Sequence, residues 1–390
     1  MFKKITNDIF NIGVYDNKID LFEGHYKVPQ GVTYNSYLIK GKQNVILDTV
    51  DINFANEWLN NIKQVVGEEK IDYLILQHIE PDHSASVLKL TEVYNDVKIV
   101  TNAIALNMLK QFFPEKSFDN TIIITDGQQL KINDKEYKFI FAPMVHWPEV
   151  FFTFEQTSLT LFSADAFGRF GKDDNSFWID EARRYYIGIV GKYGMQVQKA
   201  LSKLSNLNIL RICPLHGSVL EGDLTQYLNY YQLWSTYIPE KNGVTLAYTS
   251  VYGHTKQAVL QLAQKLSSYG IEVAVFDLAR CDIYQAISSA FKYSNLVLAT
   301  TTYNMDIFPY MREYINGLTL RNFQKRNVAI IENGSWAPNA KKVILELFKE
   351  SKDLSFYNNT ITIKSNLSPN NQQQIEELAI SIKEQINNAI

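Results

Sequence analysis

Four of the chain's six histidines form one spaced set with three carboxylates: His78, Glu80, Asp82 and His83 within six consecutive residues, then His146, Asp165 and His216. Imidazole suits zinc, copper, iron and nickel, carboxylates favour harder ions, and no thiolate lies in the set to draw a softer one. Seven such donors suffice for two cations in a mixed nitrogen and oxygen shell, with one carboxylate between them at the ~3.5–4 Å separation of two-metal sites. Asp165 is the carboxylate expected to bridge.

These donors must be carried to one place, and the residues before them say how. His78 follows Tyr73-Leu74-Ile75-Leu76-Gln77, His146 follows Phe139 to Val145, Asp165 follows Leu159 to Ala164, and His216 follows Leu210 to Leu215. Short apolar runs rich in β-branched and aromatic residues read as buried strands. A lone histidine after a strand is ordinarily a satisfied core residue. Four strand ends each finishing in a potential ligand are not explained that way, because an apolar core does not keep charge without a partner.

The rest of the chain frames this site. With 390 residues, 46% hydrophobic and 20% charged, it can bury a sizeable core and is expected to form two domains. A net charge of -3 shows no basic excess, so bulk electrostatics do not suggest nucleic acid or an anionic membrane surface as partner. The first eight residues lack the apolar core of a signal peptide, and no apolar run approaches ~18 residues, so a cytoplasmic location is expected. The two cysteines, Cys213 and Cys281, fall one in each presumed domain and read as core thiols.

Organisation changes around Trp234 to Gly243, where a proline, charges and a glycine precede a new strand, giving expected domains of 1–240 and 241–390. In the first, short strands such as Asn44 to Asp48 and Val97 to Thr101 mix with helical stretches. In the second, Val244–Tyr248, Val273–Phe276, Leu296–Ala299, Val328–Ile331 and Thr360–Ile363 alternate with helical spacing, the pattern of a flavodoxin-like doubly wound parallel sheet. Such sheets bind ligands outside the strands' carboxyl ends.

The loops at those ends are polar with interspersed aromatics. Thr249 to Thr255 leads into a helix expected near Lys256, and its hydroxyls and amides suit a phosphate. It lacks the lysine-bearing pattern of nucleotide hydrolases. Thr300 to Asp306 and Glu332 to Asn339 set Tyr303 and Trp336 among small polar residues. A bland alternative for the first loop is a turn capped by Ser or Thr, and for the two aromatics ordinary surface exposure.

The whole pattern resembles the flavodiiron proteins, a branch of the metallo-β-lactamase superfamily. The superfamily's usual His-x-His-x-Asp-His becomes His78-Ile79-Glu80-Pro81-Asp82-His83 here, and the match continues at Gly31 to Leu38, Ala142 to Glu149 and Ser163 to Gly168. An anionic carboxylate in place of imidazole hardens the site and favours iron over zinc. The resemblance implies an αββα sandwich holding two irons, followed by a flavodoxin-like domain holding FMN. His78, Glu80 and His146 would hold one iron, Asp82, His83 and His216 the other, and Asp165 would bridge. Ser250, Tyr252, Gly253, His254 and Thr255 would take the phosphate, and Thr302, Tyr303, Asn304, Asn333, Gly334, Ser335 and Trp336 would line the flavin ring.

The activity implied is reduction of dioxygen to water or nitric oxide to nitrous oxide, in a head-to-tail homodimer or a dimer of dimers. With two cysteines and no Cys-x-x-Cys pair for a rubredoxin iron, electrons are expected from a separate donor such as rubredoxin. His25, Tyr26, Trp147, Phe167 and Tyr193 are candidates for the pocket above the irons, with ordinary packing as the alternative. The chain departs from the family pattern at Leu220, where tryptophan is expected. Rival readings are a zinc hydrolase of the metallo-β-lactamase type and a flavin electron carrier whose first domain is scaffold.

Overall fold

The computed structural model describes residues 2–172 and 178–388. Contacts divide the chain into two units, Met1–Gln232 and Leu233–Ile390. Residues 233–240 are tied into the second unit: buried Arg326 donates to the Tyr237 carbonyl at 2.6 Å, and the Glu240 amide donates to the Lys292 carbonyl at 2.9 Å.

The first unit is built on two sheets. One has seven strands in the order Lys3–Lys4, Ile9–Asn11, Tyr37–Ile39, Val45–Leu47, Tyr73–Ile75, Lys98–Thr101 and Thr121–Ile123. From Val45–Leu47 onward its strands are parallel. The other has six, ordered Gln129–Ile132, Lys135–Phe141, Phe151–Glu155, Thr160–Phe162, Arg211–Cys213 and Leu220–Glu221.

Alternation along the strands decides what faces inward. Tyr37, Ile39, Val45, Leu47, Ile75 and Val100 of the first sheet meet Phe139, Phe151, Phe162 and Cys213 of the second in one buried cluster. Helices lie outside. Trp58 of helix Ala55–Val66 donates to Ser36 Oγ at 3.0 Å, and Lys203 of helix Gly194–Leu204 reaches the Phe141 carbonyl at 2.7 Å. This is the αββα sandwich, and burying its shared core holds the two sheets at fixed separation.

Direction then fixes where the loops go. Lys135–Phe141 and Thr160–Phe162 both pair antiparallel with Phe151–Glu155, so they run the same way, and Arg211–Cys213 is parallel to Thr160–Phe162. Three strands therefore end at one edge of the second sheet, each just before His146, Asp165 or His216. Leu220 lies in that sheet, buried and paired with Ile212.

The second unit is a parallel sheet ordered Val273–Asp277, Lys241–Tyr248, Tyr293–Tyr303 and Arg326–Asn333, with both Leu354–Phe356 and Ile361–Ile363 pairing with Arg326–Asn333. Leu246 packs on helices His254–Ser268 and Pro369–Asn388, while the neighbouring Thr245 hydroxyl meets Ser289 of helix Ile283–Lys292 at 2.7 Å. Helices on both faces and this order make it flavodoxin-like. The structure adds Leu354–Phe356 to the strands read from sequence, and starts the first helix at His254, two residues before Lys256. A positive φ of 93° at Gly253 turns the chain sharply enough to begin it there.

One helical glycine shows how tightly the first unit packs. Gly188 lies in helix Trp178–Ile189, the Tyr26 hydroxyl donates to its carbonyl at 2.8 Å, and an added Cβ would meet the Tyr26 ring at 2.9 Å. Helix propensity alone makes Gly→Ala favourable by ~1 kcal/mol, but overpacking costs ~1–3 kcal/mol. Gly188→Ala is therefore expected to lower the guanidinium unfolding midpoint of the first unit. A rise would mean that propensity outweighs the clash.

Candidate dinuclear metal centre and cofactor pocket

The loop after Tyr73–Ile75 starts from a buried carboxylate. Asp48 accepts from the Gln77 amide at 2.7 Å, the Gln77 side chain at 2.9 Å and the His78 amide at 3.3 Å, and burial pushes its carboxyl up to about 6 despite those bonds. Pro81 then opens a short helix, Pro81–Ser84, a position where its missing N–H costs nothing. The turn brings Asp82 and His83 back beside His78. Thr49 pins it by donating from its hydroxyl to the His83 carbonyl at 2.8 Å.

Seven side chains from four strand ends converge on one point. His78 Nε2 lies 3.2 Å from Glu80 Oε2, 3.3 Å from His146 Nε2 and 3.5 Å from Asp165 Oδ2. His146 Nε2 lies 3.1 Å from Glu80 Oε2 and 2.9 Å from Asp165 Oδ2. On the other side, His83 Nε2 is 3.1 Å from His216 Nε2 and 3.3 Å from both Asp82 Oδ2 and Asp165 Oδ1. His216 Nε2 is 3.4 Å from Asp82 Oδ2 and 3.6 Å from Asp165 Oδ1.

The two oxygens of Asp165 thus face different clusters, His78–Glu80–His146 and Asp82–His83–His216. Within each cluster the donor atoms lie within 4.8 Å of one another. Neither Asp82 oxygen, nor Asp165 Oδ1, finds a hydrogen-bond partner among the described residues, although all are buried. Buried lone pairs aimed together without donors cost free energy unless something positive sits between them. The donor set fits two cations, and all seven residues expected from the sequence are brought together.

The electrostatics agree. Burial alone would discharge His78 and His146, yet Asp165, with Glu80 beside it, holds His78 well above its usual range and His146 at about 9. For Asp165 burial would favour the neutral acid, but His78, His83 and His146 hold it well below the carboxylate range. Each group is held in its charged form by its neighbours, so the pocket pairs opposite charges throughout.

Around the donors lies a layer that sequence reading did not resolve. His78 Nδ1 faces Glu149 Oε1 at 2.8 Å, and His216 Nδ1 donates to the Thr33 carbonyl at 2.7 Å. The Gly31 to Leu38 segment carries no ligand but braces the His216 loop. Thr33 Oγ1 accepts from the Gly217 amide at 2.6 Å, Asn35 donates to the carbonyls of Pro214 and Gly217 at 2.8 Å each, and Tyr37 donates to the Pro214 carbonyl at 2.6 Å.

Of the proposed pocket aromatics, Trp147 lies against His78 with ring centres 5.3 Å apart. Phe167 instead stacks on Tyr231 at 4.1 Å, and His25 packs on Tyr26 at 4.1 Å. Among the described residues Tyr193 makes no ring contact with the seven donors, whereas Phe22, Tyr34 and Tyr185 ring His216 at 5.3, 6.0 and 5.5 Å. Nothing in their spacing marked those three, because their partners lie far off in the chain.

In the second unit a cavity of about 670 Å³ opens at the strands' carboxyl ends, lined by Ser250, Tyr252, His254, Thr255, Thr302, Tyr303, Asn304, Asn333, Gly334, Ser335 and Trp336. Gly253, at the N-cap of the 15-residue helix His254–Ser268, supplies no side-chain cap, so first-turn amides remain for an anion. Its amide donates to Ser250 Oγ at 3.1 Å, closing the loop. Trp336 and Tyr252 are 89% and 88% exposed, so their faces are open to a ligand. Val251, Thr301, Met305, Ala337 and Ser365 also line the cavity and were not singled out from sequence. Ser365 arrives from the Ile361–Ile363 strand end, held by Asn333 at 3.1 Å.

A metallo-β-lactamase-type sandwich with a seven-donor site, joined to a flavodoxin-like unit with an open anion-ready cavity, defines a two-centre protein. Residues 32–217 match the family described as ODP family β-lactamase. An uncharacterized protein of Methanocaldococcus jannaschii is 31% identical over 90% of each chain. The anaerobic nitric oxide reductase flavorubredoxin of Escherichia coli is 28% identical over 86% of this chain and 73% of that one. A point variant of the flavo di-iron protein of Thermotoga maritima superposes with a TM-score of 0.90 at 26% identity, covering 99% of this chain and 98% of that one. The chain belongs to the flavodiiron protein family.

The split of Asp165 has a direct test. Asp165→Asn is expected to lower bound metal at both positions, whereas Glu80→Gln lowers it at one, as read by elemental analysis after reconstitution. Equal loss from both variants would show that Asp165 does not bridge.

Proposed function

We propose that this chain reduces a small diatomic oxidant, dioxygen to water or nitric oxide to nitrous oxide, at a non-haem diiron centre supplied with electrons through FMN. The observation that carries the reading is the division of Asp165 between two clusters, one of which contains Glu80. A zinc hydrolase of this fold has no need of the second unit's cavity, and Glu80 makes the site harder than imidazole would.

The division of labour follows the two units, with Met1–Gln232 holding iron and Leu233–Ile390 holding flavin. His78, Glu80 and His146 hold one iron, Asp82, His83 and His216 the other, with Asp165 shared. Ser250, Tyr252, Gly253, His254 and Thr255 take the phosphate, and the Thr302 to Asn304 and Asn333 to Trp336 loops flank the ring. Bound together, the flavin and the iron pair supply the redox chemistry. The chain's own part is to orient imidazoles through Glu149 and Thr33, and to narrow access with Trp147, Phe22, Tyr34 and Tyr185.

The E. coli relative is named a nitric oxide reductase and a flavorubredoxin. By analogy the electron donor here is a separate rubredoxin-type protein. We place one subunit's flavin beside the other's irons in a head-to-tail dimer, which sedimentation tests: an active monomer would refute it.

Anaerobic reduction of the purified protein, followed by addition of dioxygen or nitric oxide, tests cofactor, metal and substrate at once. The flavin absorbance is expected to bleach and then recover as gas is consumed. In His146→Ala, loss of several kcal/mol of metal-derived stabilisation should slow recovery more than ~100-fold. Two zincs with esterase activity, and no gas uptake, would overturn the reading.

The flavin seat has its own prediction. Gly253 has φ 93° and open space where a Cβ would go, so Gly253→Ala is strained by backbone alone, ~1 kcal/mol. FMN should dissociate about fivefold more readily, measured by fluorescence of released flavin. Unchanged retention would remove this turn from the phosphate site.

A further inference from the structure

We propose that Glu149 is a positioning residue that makes the two metal positions unequal, so that the cation at His78, Glu80 and His146 is held more tightly than the one at Asp82, His83 and His216. The inference rests on the dinuclear reading above and concerns what stands behind the ligands.

The three fully buried histidines differ on the ring nitrogen turned away from the metals. His78 Nδ1 faces the Glu149 carboxylate at 2.8 Å, with both side chains buried. His216 Nδ1 faces a neutral carbonyl, that of Thr33, at 2.7 Å. His83 Nδ1 is buried and has no hydrogen-bond partner among the described residues. The first position therefore has a carboxylate hydrogen-bonded behind one imidazole, whereas behind His83 and His216 no carboxylate is hydrogen-bonded among the described residues.

Glu149 is held for that task. The Ile79 amide donates to its Oε1 at 2.9 Å, and Asn102, which caps helix Ala103–Phe112, donates to its backbone carbonyl at 2.6 Å. Its Oε2 is buried without a hydrogen-bond partner among the described residues, so His78 is the one side chain on which its charge acts by hydrogen bond. A hydrogen bond to a carboxylate is roughly twice as strong as one to a neutral acceptor. It fixes the N–H on Nδ1, leaves the Nε2 lone pair for the metal, and makes the ring a more basic ligand. Loss of such a partner typically lowers metal affinity 10–100-fold.

The test is titration of the full-length, metal-stripped protein with cobalt(II), followed in visible absorbance. The parent should bind two ions in resolved steps. Glu149→Gln keeps an acceptor for both N–H groups and removes the charge; it should weaken the tighter step about 10–100-fold and leave the other within about twofold. Glu149→Asp, which keeps the charge, should recover part of the loss. The effect of Glu149→Gln should persist in a His216→Ala background and vanish in His78→Ala.

Two indistinguishable steps in the parent would overturn the inequality without any variant needing to fold. Resolved steps that Glu149→Gln leaves unchanged, or weakens equally, would overturn the role of Glu149 alone. A parent that binds no second ion would overturn the dinuclear reading and this inference together.

Discussion

A single buried carboxylate organises the first unit. Asp165 gives one oxygen to His78 and His146 and the other to His83 and His216, and it is 1% exposed. Placing an anion there is tolerable only if positive charge meets both oxygens, and stripping one partner from a buried charge pair typically costs ~3–5 kcal/mol. The sandwich satisfies this requirement geometrically. Three strands of one direction finish at one end of the second sheet, so residues 146, 165 and 216 arrive together, and the first sheet's Tyr73–Ile75 strand delivers residue 78 to them, although all four are scattered along the chain. A different strand direction for any of the three in the second sheet would send its ligand to the opposite end.

The second unit solves a different problem with less charge. Its cavity is made from backbone amides, hydroxyls and exposed aromatic faces, all of which remain stable when the cavity is open to water. Burying seven donors together is costly unless charge is compensated, whereas the open loops of the flavodoxin-like unit carry no such cost. Tight dry packing and loose polar loops coexist because each unit closes its own core.

Much of this was legible in the chain. The seven candidate donors are readable because their chemistry is unusual for the ends of apolar strands, and His78 to His83 packs four of them into six residues. The parallel sheet was readable from regular alternation, with Leu354–Phe356 missed because two short strands share one neighbour there. What the sequence hid is contact between distant residues. Tyr185 lies beside His216, Phe167 turns away to Tyr231, and Gly31 to Leu38 braces a loop some 180 positions later, as Asn35 to Pro214 shows. Residue type signals what a side chain offers; only the fold decides to whom.

The partner chosen by His216 has a consequence for how the site can vary. Its Nδ1 bonds to the main-chain oxygen of Thr33, which every amino acid carries, so no substitution at position 33 deletes the acceptor. Drift can erode the Thr33 hydroxyl, and with it the bond to Gly217, yet the acceptor that orients the imidazole is written into the backbone. On this side of the centre heredity can alter the path of the chain but has no letter with which to remove the contact.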